Sequence, residues 1–393
     1  MVPLAPVDAL VLRPRLQDPA ECLRPTRAEV DLGAVAANFA VVAQAAAPAR
    51  VVAIVKADGY GHGVVPVARR LEEAGGEALH GFGVALAEEA LELREAGIRR
   101  AILVLNGAYG GAYADVLAAG LTPVVYDRGH LEGFARAARG RPFAVHLKVD
   151  TGMSRLGVPL AELDGFLTAL DRTPGARVEG LMTHLMAADS DDALTAEQLQ
   201  RFTRAQHALR AHGHRPRLLH AANSAATFRH PSARYDLVRP GIALFGHAGS
   251  DDVSAPLRPA LRLRSEVLAL RDLRPGDRVG YDGTFTASRP TRLATLPIGY
   301  GDGLLRAASN RGFVLVRGRR CPLVGRVSMD LSTVDVTDVP GVAVGDEACF
   351  LGTQEGPDGV RGAIDMVELA EASGTAPYEV LCAISRRVPR FYR

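Results

Sequence analysis

The sequence predicts an α/β protein: an N-terminal (β/α)8 barrel followed by a smaller, mostly antiparallel β C-terminal domain. Three observations carry this. Eight short runs rich in Val, Ile and Leu recur between residues 51 and 239, with longer stretches of helical periodicity between them. No G-x-G-x-x-G follows the first run, which argues against a doubly wound open sheet. Beyond about residue 257 the pattern changes to period two, broken by Pro-Gly, Asp-Gly and Arg-Gly turns, as antiparallel strands require.

In chain order the apolar runs are VVAIVKA (51–57), LHGFGVA (79–85), AILVLN (101–106), LTPVVYD (121–127), FAVHLKVD (143–150), VEGLMTH (178–184), RLLHAAN (217–223) and YDLVR (235–239). They are near-continuously apolar, as strands covered on both faces are. The intervening VARRLEEAG, ALAEEALELREAG, LEGFARAARG and LAELDGFLTALDR read as surface helices that stop near Gly or Pro. After the change of texture, ALRLRSEVLALRDL, TRLATLPIG, FVLVRGRRCPLVGRVSMDLSTVDVTDV and EACFLG read as strands, and DMVELAEASG and PYEVLCAIS as two closing helices. The expected division is an N-terminal extension at 1–25, a barrel at 26–256 and a β domain at 257–393. The extension is rich in Pro and Arg, and is expected to be disordered.

Composition narrows the function classes. Lys plus Arg number 46 against 44 Asp plus Glu, a balance that argues against a dedicated nucleic-acid or membrane-surface binder. Cys22, Cys321, Cys349 and Cys382 lie far apart, with neither a C-x-x-C pair nor zinc-ligand spacing, so no metal is expected. The first residues lack a secretory pattern, and no apolar stretch is long enough to span a bilayer. The expectation is a cytoplasmic protein.

Functional groups of such barrels sit where strands end at the C-terminal face. There the runs place Lys56, Lys148, His184, Asn223 and Arg239. A lysine in a dry barrel mouth loses pKa to desolvation, and a neutral amine attacks carbonyls to form a Schiff base. The loop KADGYGHG brings three glycines and the Tyr60 hydroxyl beside Lys56. Asn223–Ser224 after the seventh run and Pro240–Gly241–Ile242 after the eighth fall where barrels often bind phosphate. An amine facing a phosphate cradle suits pyridoxal 5'-phosphate (PLP).

AIVKADGYGHG, KVDTGMSRLG, HAANSAAT, VRPGIALFG, VGYDGTF, LPIGYGDG, GRVSMD and APYEVLCAIS occur in order from residue 53 to 385, and together they resemble the PLP-dependent alanine racemase family. The resemblance implies a racemase interconverting L- and D-alanine for peptidoglycan, acting as a homodimer with shared active sites. Lys56 resembles the PLP-bearing lysine and D-face base; Tyr281 resembles the L-face base, reaching the cofactor from the partner subunit. Two bases on opposite sides of a planar carbanion are what racemisation needs. Tyrosine, with an unperturbed pKa of about 10, needs help; the resemblance supplies a hydrogen-bonded chain from Tyr281 to His184 to Arg239. It places Arg239 at the pyridine nitrogen, and Arg155 with the backbone N–H of Met329 on the substrate carboxylate. Lys148 resembles a lysine that some members carry as a carbamate supporting Arg155. Tyr60, Ser224, Gly241, Ile242 and Tyr378 match phosphate contacts with Asn223 beside them, while Tyr300, Arg306, Arg326 and Asp330 match the substrate corridor. A broader-specificity racemase, a PLP decarboxylase and a non-catalytic PLP carrier are the rival readings.

Overall fold

The computed structural model describes residues 23–250 and 252–393. Most of the expected N-terminal extension, and Cys22 with it, lies outside the described residues. Two compact units are present: one comprises residues 32–260, the other residues 261–393 together with residues 23–31.

The first unit is a nearly closed barrel of eight parallel strands: β1 (Arg50–Ile54), β2 (Leu79–Val84), β3 (Ala101–Val104), β4 (Thr122–Val125), β5 (Phe143–Asp150), β6 (Ala176–Met182), β7 (Leu218–His220) and β8 (Leu237–Val238). Neighbours in sequence are neighbours in the sheet from β1 to β7, and β8 pairs back onto β1 through Leu237↔Arg50 and Val238↔Val51. Between β7 and β8 single hydrogen bonds replace a ladder, Asp236 N–H to Leu219 O at 3.0 Å and Arg239 N–H to Ala222 O at 2.9 Å. Strands this apolar are stable only when both faces are covered, and helices such as Val64–Ala74, Arg128–Ala138 and Asp192–Ala211 cover the outside. Asp127 and Asp191 accept N–H bonds from His130 and Leu194, fixing where two of these helices start. Asn38, wholly buried on helix Leu32–Ala46, grips the segment after β8 by donating to Leu244 O (3.1 Å) and Arg258 O (2.8 Å).

The second unit is built on a sheet in the order Arg319–Pro322, Phe313–Val316, Glu347–Glu355, Leu261–Glu266, Arg27–Val30 and Arg390–Tyr392, with Arg361–Ile364 joined to Glu347–Glu355. Only its last pair is parallel. A three-stranded antiparallel sheet (Ala269–Leu273, Thr291–Leu296, Ser332–Asp335) and helices Met366–Ser373 and Pro377–Ala383 complete it. Residues 26–31, expected in the barrel, belong here instead. Arg27–Val30 forms ladders with Leu261–Glu266 and Arg390–Tyr392, so its hydrogen-bond partners and not its neighbours in sequence decide its unit.

Alternation on Leu261–Glu266 turns Arg262 and Arg264 to one face, where both meet Glu347 and Glu29. Two cations share two carboxylates in a half-buried ring. Glu347→Gln leaves two guanidiniums on one anion, and urea unfolding is expected to show a loss of about 1–2 kcal/mol.

Candidate active site

Lys56 follows β1 and opens a turn of unusual hand. Ala57, Asp58, Gly59, Tyr60 and Gly61 all have positive φ, between 53° and 77°. A left-handed turn costs about 1–2 kcal/mol for each residue carrying a Cβ, so the surroundings must hold it. Glu89 accepts from Ala57 N–H at 2.6 Å with one oxygen, and from Ala85 and Leu86 N–H at 2.8 and 3.1 Å with the other. Asp58 accepts from Val64 N–H at 2.9 Å. Buried His62 donates from Nδ1 toward Tyr60 O (2.9 Å) and Gly59 O (3.1 Å), and its ring stacks on Phe245 at 4.2 Å. The strain sits at the lysine and is fixed from three sides.

Across the barrel, Asn223 N-caps the helix beginning at Ser224 by accepting from Ala226 N–H at 2.9 Å. Ser224 Oγ accepts from Gly241 N–H (3.0 Å) and Ala243 N–H (3.3 Å), at the turn that opens with Ile242. The Tyr60 hydroxyl stands 2.2 Å from where a Cβ on Gly241 would lie, so only glycine lets it approach this backbone. Tyr60, Ser224, Gly241 and Ile242 thus lie together. The Tyr60 and Ser224 hydroxyls, with the Gly241–Ile242 backbone beside them at the mouth of β7 and β8, make a donor set suited to a phosphate.

Below the cradle the interior is polar. Arg239, 5% exposed, donates from Nη1 to His220 Nδ1 (3.0 Å) and from Nη2 to Thr183 O (2.6 Å) and Ala221 O (3.1 Å). No carboxylate of the described residues pairs with it; Asp236 instead accepts from Leu219 N–H. Burial lowers its pKa to about 10. The anticipated His184–Arg239 hydrogen bond is absent; the guanidinium reaches His220 and the two carbonyls instead. His220 Nε2 lies 2.8 Å from His146 Nδ1. Since Arg239 can only donate, His220 accepts on Nδ1, carries its proton on Nε2 and passes the hydrogen bond to His146. Burial, reinforced by Arg239, holds His184 and His220 well below the usual histidine range; burial, then His80 and Arg239, takes His146 down to about 3.

These imidazoles are neutral in the fold and charge only on unfolding. Between their depressed folded values and the ordinary 6.5 the unfolded chain binds more protons, so stability falls as pH drops below 6.5. Thermal midpoints are expected to decline steadily from pH 6.5 to pH 4, and His146→Gln to show a shallower decline.

Lys148, 7% exposed on β5, has no ion-pair partner among the described residues. Burial first, then Arg239, Arg155 and Lys56, lower it to about 8, with Asp150 opposing. Arg155 is exposed in the following loop, which Asp150 shapes by accepting from the N–H groups of Gly152, Met153 and Ser154. Gln198 binds the loops after β5 and β6 together, donating to Thr151 Oγ1 and His184 O at 3.2 Å each and accepting from Met186 N–H at 2.9 Å.

The second unit carries the remaining candidates. Tyr281, 69% exposed, begins a short turn whose Asp282 pairs with Arg326 at 2.7 Å. Tyr300 (43% exposed) and Met329 (54% exposed) stand on adjoining loops, Asp330 pairs with Arg387 at 2.5 Å, and Tyr378 is exposed near the start of helix Pro377–Ala383. Met329 N–H has no acceptor among the described residues.

Residues 30–249 match the family described as alanine racemase, N-terminal domain, and residues 260–392 match alanine racemase, C-terminal domain. The chain belongs to the alanine racemase family. An alanine racemase of Sorangium cellulosum is 50% identical over 94% of this chain and 100% of its own. Among solved structures, alanine racemase from Streptomyces coelicolor A3(2) superposes with a TM-score of 0.88 at 36% identity, covering 95% of this chain and 99% of that one. Alanine racemase from Bartonella henselae with covalently bound pyridoxal phosphate gives 0.85 at 31% identity, covering 94% and 99%. Reading the sequence missed Glu89, His146, Gln198 and His220. His146 had a signal: it stands two residues before Lys148, on the same face of β5.

Proposed function

We propose that this alanine racemase interconverts L- and D-alanine with pyridoxal 5'-phosphate as its cofactor, supplying D-alanine for peptidoglycan. The observation that carries the cofactor assignment is the cradle of Tyr60, Ser224 and the Gly241–Ile242 backbone, in the same barrel mouth as Lys56 and Arg239. The donor chemistry fits the group: hydroxyls and N–H groups for a phosphate, an amine for a carbonyl carbon, and a cation that keeps its proton for a ring nitrogen. When bound, PLP supplies a conjugated ring that makes the α-proton of an attached amino acid acidic.

The chain's own residues do the rest. Lys56 Nζ holds the cofactor and carries the proton on the D-face. The Tyr281 hydroxyl serves the L-face from the partner subunit of a homodimer, and Tyr378 completes the phosphate contacts. Arg239, braced by neutral His220, keeps its proton; it would meet a ring nitrogen of the cofactor as a hydrogen-bond donor and would not protonate it. Arg155 and Met329 N–H orient the substrate carboxylate, with Asp330 and Tyr300 lining the approach. His184 assists Tyr281.

Lys148 has the environment of a carbamate. With a pKa near 8 its amine is partly neutral at physiological pH, and the neutral amine adds to carbon dioxide, forming an N–C bond and releasing one proton. The resulting anion would replace repulsion with attraction toward Arg155. Lys148→Ala is expected to lower kcat/KM about tenfold or more, with partial recovery on adding a small inorganic anion such as chloride. Equal activity with and without the additive, at wild-type level, would remove the carbamate from the account. The overall reading is tested by incubating each alanine enantiomer in deuterated water and following α-proton exchange and optical rotation. Absence of both with the PLP-loaded protein sinks it.

A further inference from the structure

Asp302 lies in the Gly-rich loop IGYGDG, and its side chain is fully buried, at 0% exposure. Its carboxylate is the hub of four interactions. Arg24 reaches it from ahead of the first strand with both terminal nitrogens, Nη1 to Oδ1 at 2.6 Å and Nη2 to Oδ2 at 2.5 Å. Arg387 Nε donates to Oδ1 at 2.7 Å, and Gly299 N–H to Oδ2 at 3.0 Å. Burial alone would raise this carboxyl; the Arg24 and Gly299 bonds and the Arg387 charge outweigh it and hold the group below its ordinary value. The carboxylate therefore stays ionised to lower pH than an ordinary one.

The hub connects three segments that carry candidate site residues. Arg387 spans from Asp302 to Asp330, donating from Nη2 at 2.5 Å. The two loops are also joined through their backbones, Tyr300 N–H to Ser328 O at 3.0 Å and Gly301 N–H to Met329 O at 2.9 Å. The Asp302 carbonyl accepts from Ser385 N–H at 2.9 Å, just beyond the helix that bears Tyr378. Arg24 extends the cluster by donating to Pro297 O at 2.7 Å. With Met329 O taken by Gly301, the orientation of the peptides around Met329, and so of its unpaired N–H, depends on how these loops are locked.

We propose that Asp302 is a positioning residue for the substrate-carboxylate site: clamped between Arg24 and Arg387, it sets the loops that present Met329 N–H and Tyr300. This rests on the role given to Met329 above. A carboxylate hub of this kind acts on recognition of the substrate's anionic end more than on the proton transfers.

The experiment uses the PLP-loaded enzyme and the variants Asp302→Asn, Arg387→Ala and, as a control of the same unit, Glu347→Gln. For each, KM and kcat for alanine, the inhibition constant of propionate and the thermal midpoint are measured. Asp302→Asn is expected to raise KM and the propionate constant together by about tenfold, with kcat changed by less than about threefold and the visible absorbance unchanged. Arg387→Ala cuts only the bridge to Asp330 and the second cation, and shifts both constants the same way by a smaller factor; it decides the matter if Asp302→Asn does not fold. Glu347→Gln lowers the thermal midpoint without moving either constant. Midpoints that fall in Asp302→Asn and Arg387→Ala while KM and the propionate constant stay at wild-type values would overturn the positioning role. Failure of propionate to compete with alanine in the wild-type enzyme is a different result: it removes the carboxylate site itself, and the clamp's role with it.

Discussion

Lys56→Ala is expected to abolish the visible absorbance of the PLP-loaded protein and to lower racemisation in both directions by about 10⁴-fold or more. The size follows from two losses at one atom: the covalent hold on the cofactor and the base on the D-face. The left-handed turn concentrates this effect, because no other amine is placed by Glu89, Asp58 and His62 at the mouth of β1. Lys148 is the other lysine of the interior, but it stands on β5 without an ion-pair partner among the described residues. An absorbance band that survives in Lys56→Ala would move the cofactor to a different residue. Added methylamine is expected to restore part of the rate, since a small amine fills the space of the deleted side chain.

Tyr281→Phe is expected to cost about 10²–10⁴-fold in racemisation, the range of a deleted general base. The faces cannot be told apart from kcat/KM alone. The equilibrium constant between mirror images is one, so kcat/KM must fall equally in both directions. Exchange with solvent breaks the tie. With Lys56 intact and the phenol gone, D-alanine should exchange its α-proton in deuterated water without inverting, while exchange into L-alanine becomes as slow as racemisation. The reverse pattern would interchange the two bases.

Much of the fold was readable because periodicity survives the details of packing. The runs VVAIVKA and VEGLMTH became Arg50–Ile54 and Ala176–Met182, and the closing helices appeared where their patterns stood. Arg27–Val30 was not readable: four residues reading RAEV carry no apolar run, and their partners lie more than two hundred residues away in the chain. At the site, Lys56 and Arg239 could be found because a charge ending an apolar run is conspicuous. Glu89 could not, since within ALAEEALELREAG it looks like any solvated helical glutamate until three N–H groups are seen to meet it. His220 lay inside a run whose reading stopped at Asn223, three residues later, and the chain from Arg239 through His220 to His146 depends on the barrel turning side chains of β5, β7 and the end of β8 into one interior.

The backward winding from Ala57 to Gly61 also determines which replacements the loop will accept. Glycine at Ala57 or Asp58 would relax the backbone and loosen the amine beside it, whereas valine or isoleucine would clash with its own main chain. Attempts to toughen the enzyme by filling flexible-looking loops with stiff residues would therefore fail at this loop, where chirality, more than packing, sets the tolerance.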